Sequence, residues 1–299
     1  MNRRPVIAAI AFLAVAVLLL VPLPFAWSFG WRVALLDLGH VPLFAAFVFA
    51  LRLGIRWSLA KCVLIAITVA GLAEIVQHFV GRTASWSDWL NGILGALSAA
   101  FLLVAWQQRH SWKRVLASLL LAFAAVLWPL AHAEPVLSDA MEGFHDFNTL
   151  ASFSNEGEMM RWETNQAELE RELQPDGLWA GRVTFLPGDA AYSSVMLTPV
   201  VNDLHGYRKM CVSFTLEGEP LDLALSIRGG PIEGKHTNHY QVGQSFPPGS
   251  HTMRLSLDAA YKFGKPHGID PSEVYFVQLF VVRPTVARTI RIHRVWVEN

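Results

Sequence analysis

The 299-residue chain is 53% hydrophobic and only 16% charged, a composition that excludes an ordinary soluble protein of one domain. Its formal net charge of zero is unevenly divided. Residues 1–133 hold ten Lys and Arg against three acids, whereas residues 134–299 hold fourteen against twenty-one, so the two parts carry +7 and −7. We therefore expect a membrane part followed by an acidic globular part, and no nucleic-acid partner.

Five apolar runs in the first part have the length of membrane-spanning helices, which need roughly 17 to 25 residues. They cover residues 6–21, 33–51, 59–80, 88–106 and 115–131. Basic residues orient them, because cytoplasmic segments are rich in Lys and Arg. Eight basic residues lie on the side of the N-terminus, and only Arg32 and Arg82 lie on the other. We expect a cytoplasmic N-terminus and an extracytoplasmic segment after the fifth helix.

Three of these runs carry pairs of polar residues at a spacing of three, which places each pair on one helical face. The orientation puts all three pairs within roughly 10 Å of the outer interface. Together with a basic residue between the third and fourth runs, the set is Asp37, His40, Glu74, Gln77, Arg82, Asp88 and Asn91. Charges at this depth are costly in a bilayer and usually face a cavity or a partner. We expect these residues to form one ligand-binding pocket that opens outward.

Small residues accompany the polar pairs. Gly92, Gly95 and Ala99 continue the face of Asp88, and Gly71 precedes Glu74 by one turn. Small residues let helix backbones approach closely in membranes, so these positions predict that the polar faces converge. The alternative is a hydrogen-bonded cluster that only holds the helix bundle together.

The spacing of these residues, from Asp37 and His40 through Glu74 and Asp88 to Gly95, resembles that of the VanZ-like family of small bacterial membrane proteins. The similarity covers residues 37–106. It implies a multi-pass protein of the bacterial inner membrane with a role in the cell envelope, in contact with a membrane lipid or a lipid-linked or surface glycan. The long C-terminal part departs from the family pattern, so the glycopeptide resistance linked to the founding member is not carried over.

Two functions of different classes remain open for the pocket. In the first, it binds a lipid-linked or lipid-like headgroup as an accessory protein. In the second, it is an enzyme acting on a lipid-linked or phosphate-bearing substrate, with candidate catalytic residues Asp37, His40, Glu74 and Asp88. Glu74 or Asp88 would be the general base, His40 an acid or base, and Arg82 a clamp for an anionic group. We expect no cofactor and no metal ion in either case.

The junction at residue 133 has two interpretations. Lys113 and Arg114, an apolar stretch and the sequence "AHA" before Glu134 have the order of a secretory signal, which predicts cleavage after Ala133. The alternative, which we favour for an internal segment, is an uncleaved fifth helix that tethers the second part. Both place residues 134–299 in the periplasm.

The second part has the pattern of an all-β sandwich of about eight strands, with alternating apolar residues and turns rich in Gly, Pro and Asn. The predicted strands cover residues 178–185, 193–200, 209–217, 221–230, 239–246, 251–257, 274–282 and 288–299. Residues 141–165 show no firm period. The segment "FPPGSHTMRLSL" and the closing strand pair resemble the galactose-binding-like jelly-roll domains of many carbohydrate-binding modules. This resemblance implies a glycan or another envelope protein as partner.

Few residues of the second part suggest chemistry. Cys211 is its only cysteine, so no internal disulfide can form. His236 and His239 have a spacing compatible with a metal, but without a further ligand they are weak evidence. Four aromatic residues are candidates for stacking on a sugar ring. They are Trp162, Trp179, Tyr240 and Trp296.

Overall fold

The structure is a computed structural model that describes residues 4–20, 30–79, 85–229, 239–262 and 269–299. Two of the residues singled out above, Arg82 and His236, lie outside these ranges.

The described residues of the first part form helices. They are α1 (Arg4–Leu20), α2 (Trp31–Gly54), α3 (Leu59–Phe79), α4 (Trp86–Gln107) and α5 (Trp112–His145). Four of these helices are long and apolar enough, by length and composition, to cross a membrane: α2, α3 over Leu59–Gln77, α4 and α5. The prediction that the first part contains helices long and apolar enough to span a membrane is thus confirmed. The first predicted span stays a prediction, because the described part of α1 has 17 residues.

The chain divides into two compact units: the first holds α1 and residues 32–134, and the second holds residues 135–299 together with Trp31. We call them the membrane unit and the β unit. In the membrane unit, α1, α2, α3 and α4 share an apolar core that includes Leu19, Phe44, Cys62, Ala66 and Ala96. Much of the remaining apolar surface is exposed, including Leu120 and Phe123 of α5. An exposed apolar surface of this kind is expected of helices in contact with lipid.

The helix α5 continues past the predicted junction. It has 34 residues, which corresponds to roughly 51 Å at 1.5 Å per residue. Ala133, after which the signal-like pattern predicts cleavage, lies inside this helix, and the last turns of α5 belong to the β unit.

The β unit contains eleven strands in its described part. They are β1 (Thr149–Ala151), β2 (Trp162–Asn165), β3 (Ala167–Leu173), β4 (Trp179–Phe185), β5 (Tyr192–Leu197), β6 (Lys209–Leu216), β7 (Leu221–Gly229), β8 (His239–Phe246), β9 (Gly249–Ser256), β10 (Val274–Val282) and β11 (Arg288–Glu298). A 3₁₀ helix (Glu156–Arg161) precedes β2, and a short helix, α6 (Leu257–Lys262), follows β9. All eight predicted strands are present.

The strands form two antiparallel sheets. One has the order β3-β4-β11-β6-β9, with β1 also paired to β11, and the other has the order β2-β5-β10-β7-β8. From β4 to β7 the chain changes sheet at each strand, as in a jelly roll. Residues of both sheets share one core, which includes Val183, Phe214 and Ile292 from the first and Leu225 and Leu279 from the second. The sandwich prediction is confirmed by this packing.

Three strands escaped prediction: β1, β2 and β3. In β3, Glu168, Glu170 and Glu172 occupy alternate positions, and β3 forms the edge of its sheet. An edge strand tolerates charge on its exposed positions, and a segment rich in Glu, Leu and Arg has helical propensity. The composition of β3 therefore did not indicate a strand.

Candidate functional site

The membrane unit brings three of the predicted site residues together. His40 of α2, Glu74 of α3 and Asp88 of α4 each offer a nitrogen or carboxylate oxygen, and these atoms lie within 4.8 Å of one another. His40 Nδ1 is 3.9 Å from Asp88 Oδ1. His40 and Asp88 are only 5% and 6% exposed. Three helices thus place one imidazole and two carboxylates in one buried cluster, which we call the acid–histidine cluster.

Local structure holds two members of this cluster in place. The side chain of Ser85 caps α4 by accepting a hydrogen bond from the Ser87 backbone N–H at 3.2 Å. This start puts Asp88 in the first turn, where the helix dipole favours a negative charge. The Ser85 backbone N–H donates to Glu74 Oε2 at 2.9 Å, so the beginning of α4 is joined to α3.

Glycines of α3 and α4 allow the helices to approach. A β-carbon at Gly95 would lie 2.3 Å from the Val41 carbonyl oxygen of α2, and one at Gly92 would lie 3.0 Å from the Ala70 β-carbon of α3. At Gly71 the Trp89 indole nitrogen would be 3.2 Å away. The predicted close packing of small residues is therefore present, and it is what lets three helices share one cluster.

The other predicted residues have different contacts. The Asn91 side-chain nitrogen donates to the Asp37 backbone carbonyl at 3.1 Å, which links α4 to α2 next to the cluster. The Gln77 side-chain nitrogen donates to the Leu19 carbonyl of α1 at 2.9 Å and is buried. Gln77 therefore joins α3 to α1. The prediction for Arg82 lies outside the described residues.

An apolar groove leads to the cluster. It has a volume of about 520 Å³ and lies between residues 67–75 of α3 and the start of α4. Leu72, Ile75 and Trp86 line it with apolar surface, and its polar lining residues include Thr68, Glu74 and Ser85. The groove thus combines an apolar channel with one carboxylate of the acid–histidine cluster.

A second candidate site lies on the outer face of the five-stranded sheet in the β unit. Along β7, Leu225 and Ile227 enter the core, so Ser226 and Arg228 point to the outer face. Along β10, Leu279 enters the core and Gln278 points outward by the same alternation. We call this surface the outer face.

The centre of the outer face carries buried polar atoms. Gln278 and Ser226 are register partners, and they are 4% and 1% exposed. Among the described residues, Gln278 Oε1, Ser226 Oγ and Arg228 Nε are buried and have no hydrogen-bond partner. Nearly all buried polar groups in proteins are paired, so three such atoms on two adjacent strands require an explanation.

Aromatic residues flank these polar atoms. Tyr192 of β5 and Phe280 of β10 are partly exposed, and their ring centroids are 5.7 Å apart. Phe280 also lines a cavity of about 480 Å³, together with Asp222, Gln244 and Arg288. The outer face therefore combines buried polar atoms at its centre with partly exposed aromatic surface.

The residues predicted for stacking in the β unit lie elsewhere. Trp162 is in the core, and Tyr240 packs against the core. The Arg171 guanidinium covers the Trp179 ring at 3.6 Å. Trp296 belongs to β11 of the six-stranded sheet. It alternates with the buried Val295 and Val297, so it faces away from the core. Tyr192 and Phe280 were not among the predicted residues, although their alternation with core residues is a signal that identifies them.

The sequence matches no protein-family model and no curated protein, so the VanZ-like resemblance is not confirmed.

Among solved structures, a family 11 carbohydrate-binding module from Clostridium thermocellum in complex with a β-1,3-1,4-mixed-linked tetrasaccharide has 9% identity and a TM-score of 0.43, covering 51% of this chain and 95% of that one. The family 11 module of the C. thermocellum cellulase Lic26A-Cel5E has 8% identity and a TM-score of 0.41, covering 50% and 93%. An exo-β-agarase has 11% identity and a TM-score of 0.40, covering 50% of this chain and 25% of that one. Since these TM-scores are low, the sandwich assignment rests on the chain's own strand pairing.

Proposed function

We propose that this chain is a cell-envelope membrane protein of bacteria whose β unit binds a glycan on the outer face of the five-stranded sheet. The observation that carries the proposal is the set of three buried polar atoms, on Gln278, Ser226 and Arg228, that have no hydrogen-bond partner among the described residues. Sugars present many hydroxyl groups, each of which donates and accepts hydrogen bonds, and such a ligand would satisfy an amide, a hydroxyl and a guanidinium together.

Two further features support a glycan. Tyr192 and Phe280 form an aromatic pair beside the polar atoms, and aromatic rings suit ligands with both apolar and polar surface. The strands on either side of the centre carry exposed polar residues, including Asn165 of β2 and Gln241 of β8. A buried centre between exposed edges has the form of a binding surface.

The test is glycan binding by the full-length protein in detergent, measured against immobilised neutral and acidic polysaccharides of the bacterial envelope. Gln278→Met and Ser226→Ala remove polar atoms that have no partner in the described part of the chain, so we expect the β unit to stay as stable as the parent. Glycan affinity should fall about tenfold or more, the loss expected for a well-formed hydrogen bond to a ligand.

Thr289→Val is the matched control, because Thr289 pairs with Thr184 at 3.2 Å on the six-stranded sheet. It should leave the glycan affinity unchanged. Equal affinity of the parent and both outer-face variants, or no glycan binding by the parent, would contradict the proposal.

For the membrane unit we propose a lipid or lipid-linked glycan as ligand, seated in the groove between α3 and α4. The groove has largely apolar walls that include Glu74, an arrangement that suits an acyl or isoprenoid chain with a polar headgroup. With the predicted orientation, the cluster lies toward the outer leaflet and the β unit lies in the periplasm. Both sites would then be exposed to the same compartment.

The ligand of the membrane unit can be identified by mass spectrometry of lipids that copurify with the detergent-extracted protein. We expect Arg82→Ala and Glu74→Gln to lose this lipid. The catalytic alternative uses Glu74, Asp88 and His40 on the same ligand, and it differs in one respect: the copurified lipid would be converted by the parent and not by Glu74→Gln. A protein without a specific copurified lipid would argue against both.

A further inference from the structure

We infer that the acid–histidine cluster holds a first-row divalent metal ion, of the class of Zn²⁺, between α2, α3 and α4. The inference does not depend on the proposed lipid or glycan. It contradicts the expectation from sequence that the chain binds no metal, and it rests on the contacts of His40, Glu74 and Asp88.

The donor set is of the right kind and number. One imidazole and two carboxylates supply one nitrogen and two oxygens, which are usual ligands of Zn²⁺, at bond lengths of about 2.0 to 2.2 Å. One ligand atom of each residue lies within 4.8 Å of the others, so side-chain shifts of roughly 1 Å would bring all three to a common ion. Three protein ligands leave a further coordination position for water or substrate.

The contacts of His40 supply an independent reason. Its Nδ1 lies 3.2 Å from the Leu36 carbonyl oxygen, which can only accept, so Nδ1 carries the proton in this contact. The lone pair of the neutral ring is then on Nε2. This atom is buried and has no hydrogen-bond partner among the described residues. Histidines that ligate metal ions usually donate through the other ring nitrogen to a backbone carbonyl or a carboxylate, so His40 has the hydrogen-bonding arrangement of a ligand. A side-chain shift is needed to aim Nε2 at the carboxylates, because the ring nitrogen 3.9 Å from Asp88 Oδ1 is Nδ1.

Charge and rigidity favour an ion in this place. Two carboxylates in a poorly solvated site repel each other, and a divalent cation between them removes this cost. Glu74 is already oriented by the Ser85 N–H, and Gly95 keeps α4 against α2. The ligands and their helices are therefore held by contacts with residues that are not ligands, as a preorganised site requires.

The site also has a consequence for the ligand of the membrane unit. A phosphate-bearing headgroup would be repelled by Glu74 and Asp88 alone. A metal ion with an open coordination position would instead bind a phosphate oxygen directly.

The experiment uses full-length protein in detergent, dialysed against a chelator and then titrated with Zn²⁺. Bound metal is counted by elemental mass spectrometry, and Co²⁺ serves as a spectroscopic substitute through its visible absorption. We expect one ion per chain with micromolar or tighter affinity. His40→Ala, Glu74→Gln and Asp88→Asn should each weaken binding at least tenfold and change the Co²⁺ spectrum.

His132→Ala is the matched control. His132 makes the same contact to the carbonyl four residues earlier, Trp128, at 2.9 Å, but it is exposed on α5, so its removal should leave the metal affinity unchanged. Size-exclusion profiles identify variants that fail to fold. If His40→Ala fails to fold, the isosteric variants Glu74→Gln and Asp88→Asn still test the inference. Absence of a bound ion in the parent, or equal affinity in the folded cluster variants, overturns the inference.

Discussion

Gly95 of α4 lies directly against the backbone of Val41 in α2: a β-carbon at Gly95 would be 2.3 Å from the Val41 carbonyl oxygen. Backbone cannot move aside as a side chain does, so this contact sets how closely α4 approaches α2. His40 precedes Val41 by one residue, and Asp88 lies two turns before Gly95. The distance between the His40 imidazole and the Asp88 carboxylate therefore depends on the absence of a side chain at Gly95.

Gly95→Ala should separate α4 from α2 and destabilise the membrane unit by about 1 to 3 kcal/mol, the usual cost of overpacking. The measurement is the thermal unfolding midpoint of the detergent-solubilised protein. Gly39→Ala is the matched control, because a β-carbon at Gly39 of α2 meets no atom within 4 Å and alanine has the higher helix propensity. Equal midpoints for the two variants would refute the role of this contact.

The β unit should fold by itself. A fragment that begins at Ser138 retains all eleven strands, and Cys211 is its only cysteine. Burial raises the pKa of the Cys211 thiol to about 11, which keeps it protonated and unreactive at neutral pH. We expect a soluble, β-rich fragment with a single cooperative denaturant transition that is the same with and without reductant. A disordered or helical circular dichroism spectrum would contradict this expectation.

A buried ion pair stabilises the β unit at its N-terminal end. Arg161 Nε donates to Asp139 Oδ2 at 2.7 Å, and a second guanidinium nitrogen donates to the other carboxylate oxygen at 3.2 Å. Both residues are at least nine-tenths buried. Asp139→Ala leaves the buried Arg161 charge with Glu158, 3.9 Å away, as its remaining carboxylate. We therefore expect a loss of about 3 kcal/mol in the free energy of unfolding, the lower end of the range for a broken buried ion pair.

The control for that change is Glu142→Ala on the same helix. Glu142 accepts hydrogen bonds from Ser154 and Asn155 at exposed positions, and its removal should cost about 1 kcal/mol or less. Denaturant unfolding of the fragment measures both. Similar losses of unfolding free energy for Asp139→Ala and Glu142→Ala would contradict the prediction that the buried ion pair contributes more than an exposed contact.

His293 should make the β unit sensitive to acid. It lies where the register of β11 against β6 shifts, and its Nε2 is 2.8 Å from Thr215 Oγ1. Burial lowers the pKa of His293 below its usual 6.5, and nearby Arg291 lowers it further against the opposing effect of Asp176. Since the folded state favours the neutral ring, its contribution to stability is present above about pH 6.5 and is lost as the pH falls through the folded pKa.

The free energy of unfolding of the fragment should therefore decrease more between pH 7.5 and pH 5.5 in the parent than in His293→Gln. Parallel pH profiles for the two proteins would contradict this assignment.

The orientation predicted from the loop charges can be tested with a reporter enzyme that is active only outside the cytoplasm. Fused after Asn299, the reporter should be active, and fused at Gln108 it should be inactive, because eight of the ten basic residues of the membrane part lie on the side of the N-terminus. The opposite result would place the acid–histidine cluster toward the cytoplasm and remove the proposed access from the periplasm.

Sequence patterns identified the elements whose burial follows a simple period. Along β9, the predicted alternation holds, since Met253 and Leu255 are buried and Arg254 is exposed. The glycines near Asp88 were likewise recognised as sites of close approach. The edge strand β3 was missed because its glutamates face outward without a buried row to set the period, so its local propensity pointed to a helix.

The periods of 3.6 and 2 determine which residues share a helical or strand face, and this information is local, so the apolar spans, the eight strands and the polar pairs could be predicted from the amino acids alone. Which faces meet is decided by packing between elements that are distant in the chain. Packing turned Gln77 toward α1 while His40, Glu74 and Asp88 came together. It also buried Trp162 and left Tyr192 beside Phe280 on the outer face. Contacts between elements depend on the volumes and shapes of both partners. The residue pattern along one element does not describe the surface against which that element packs.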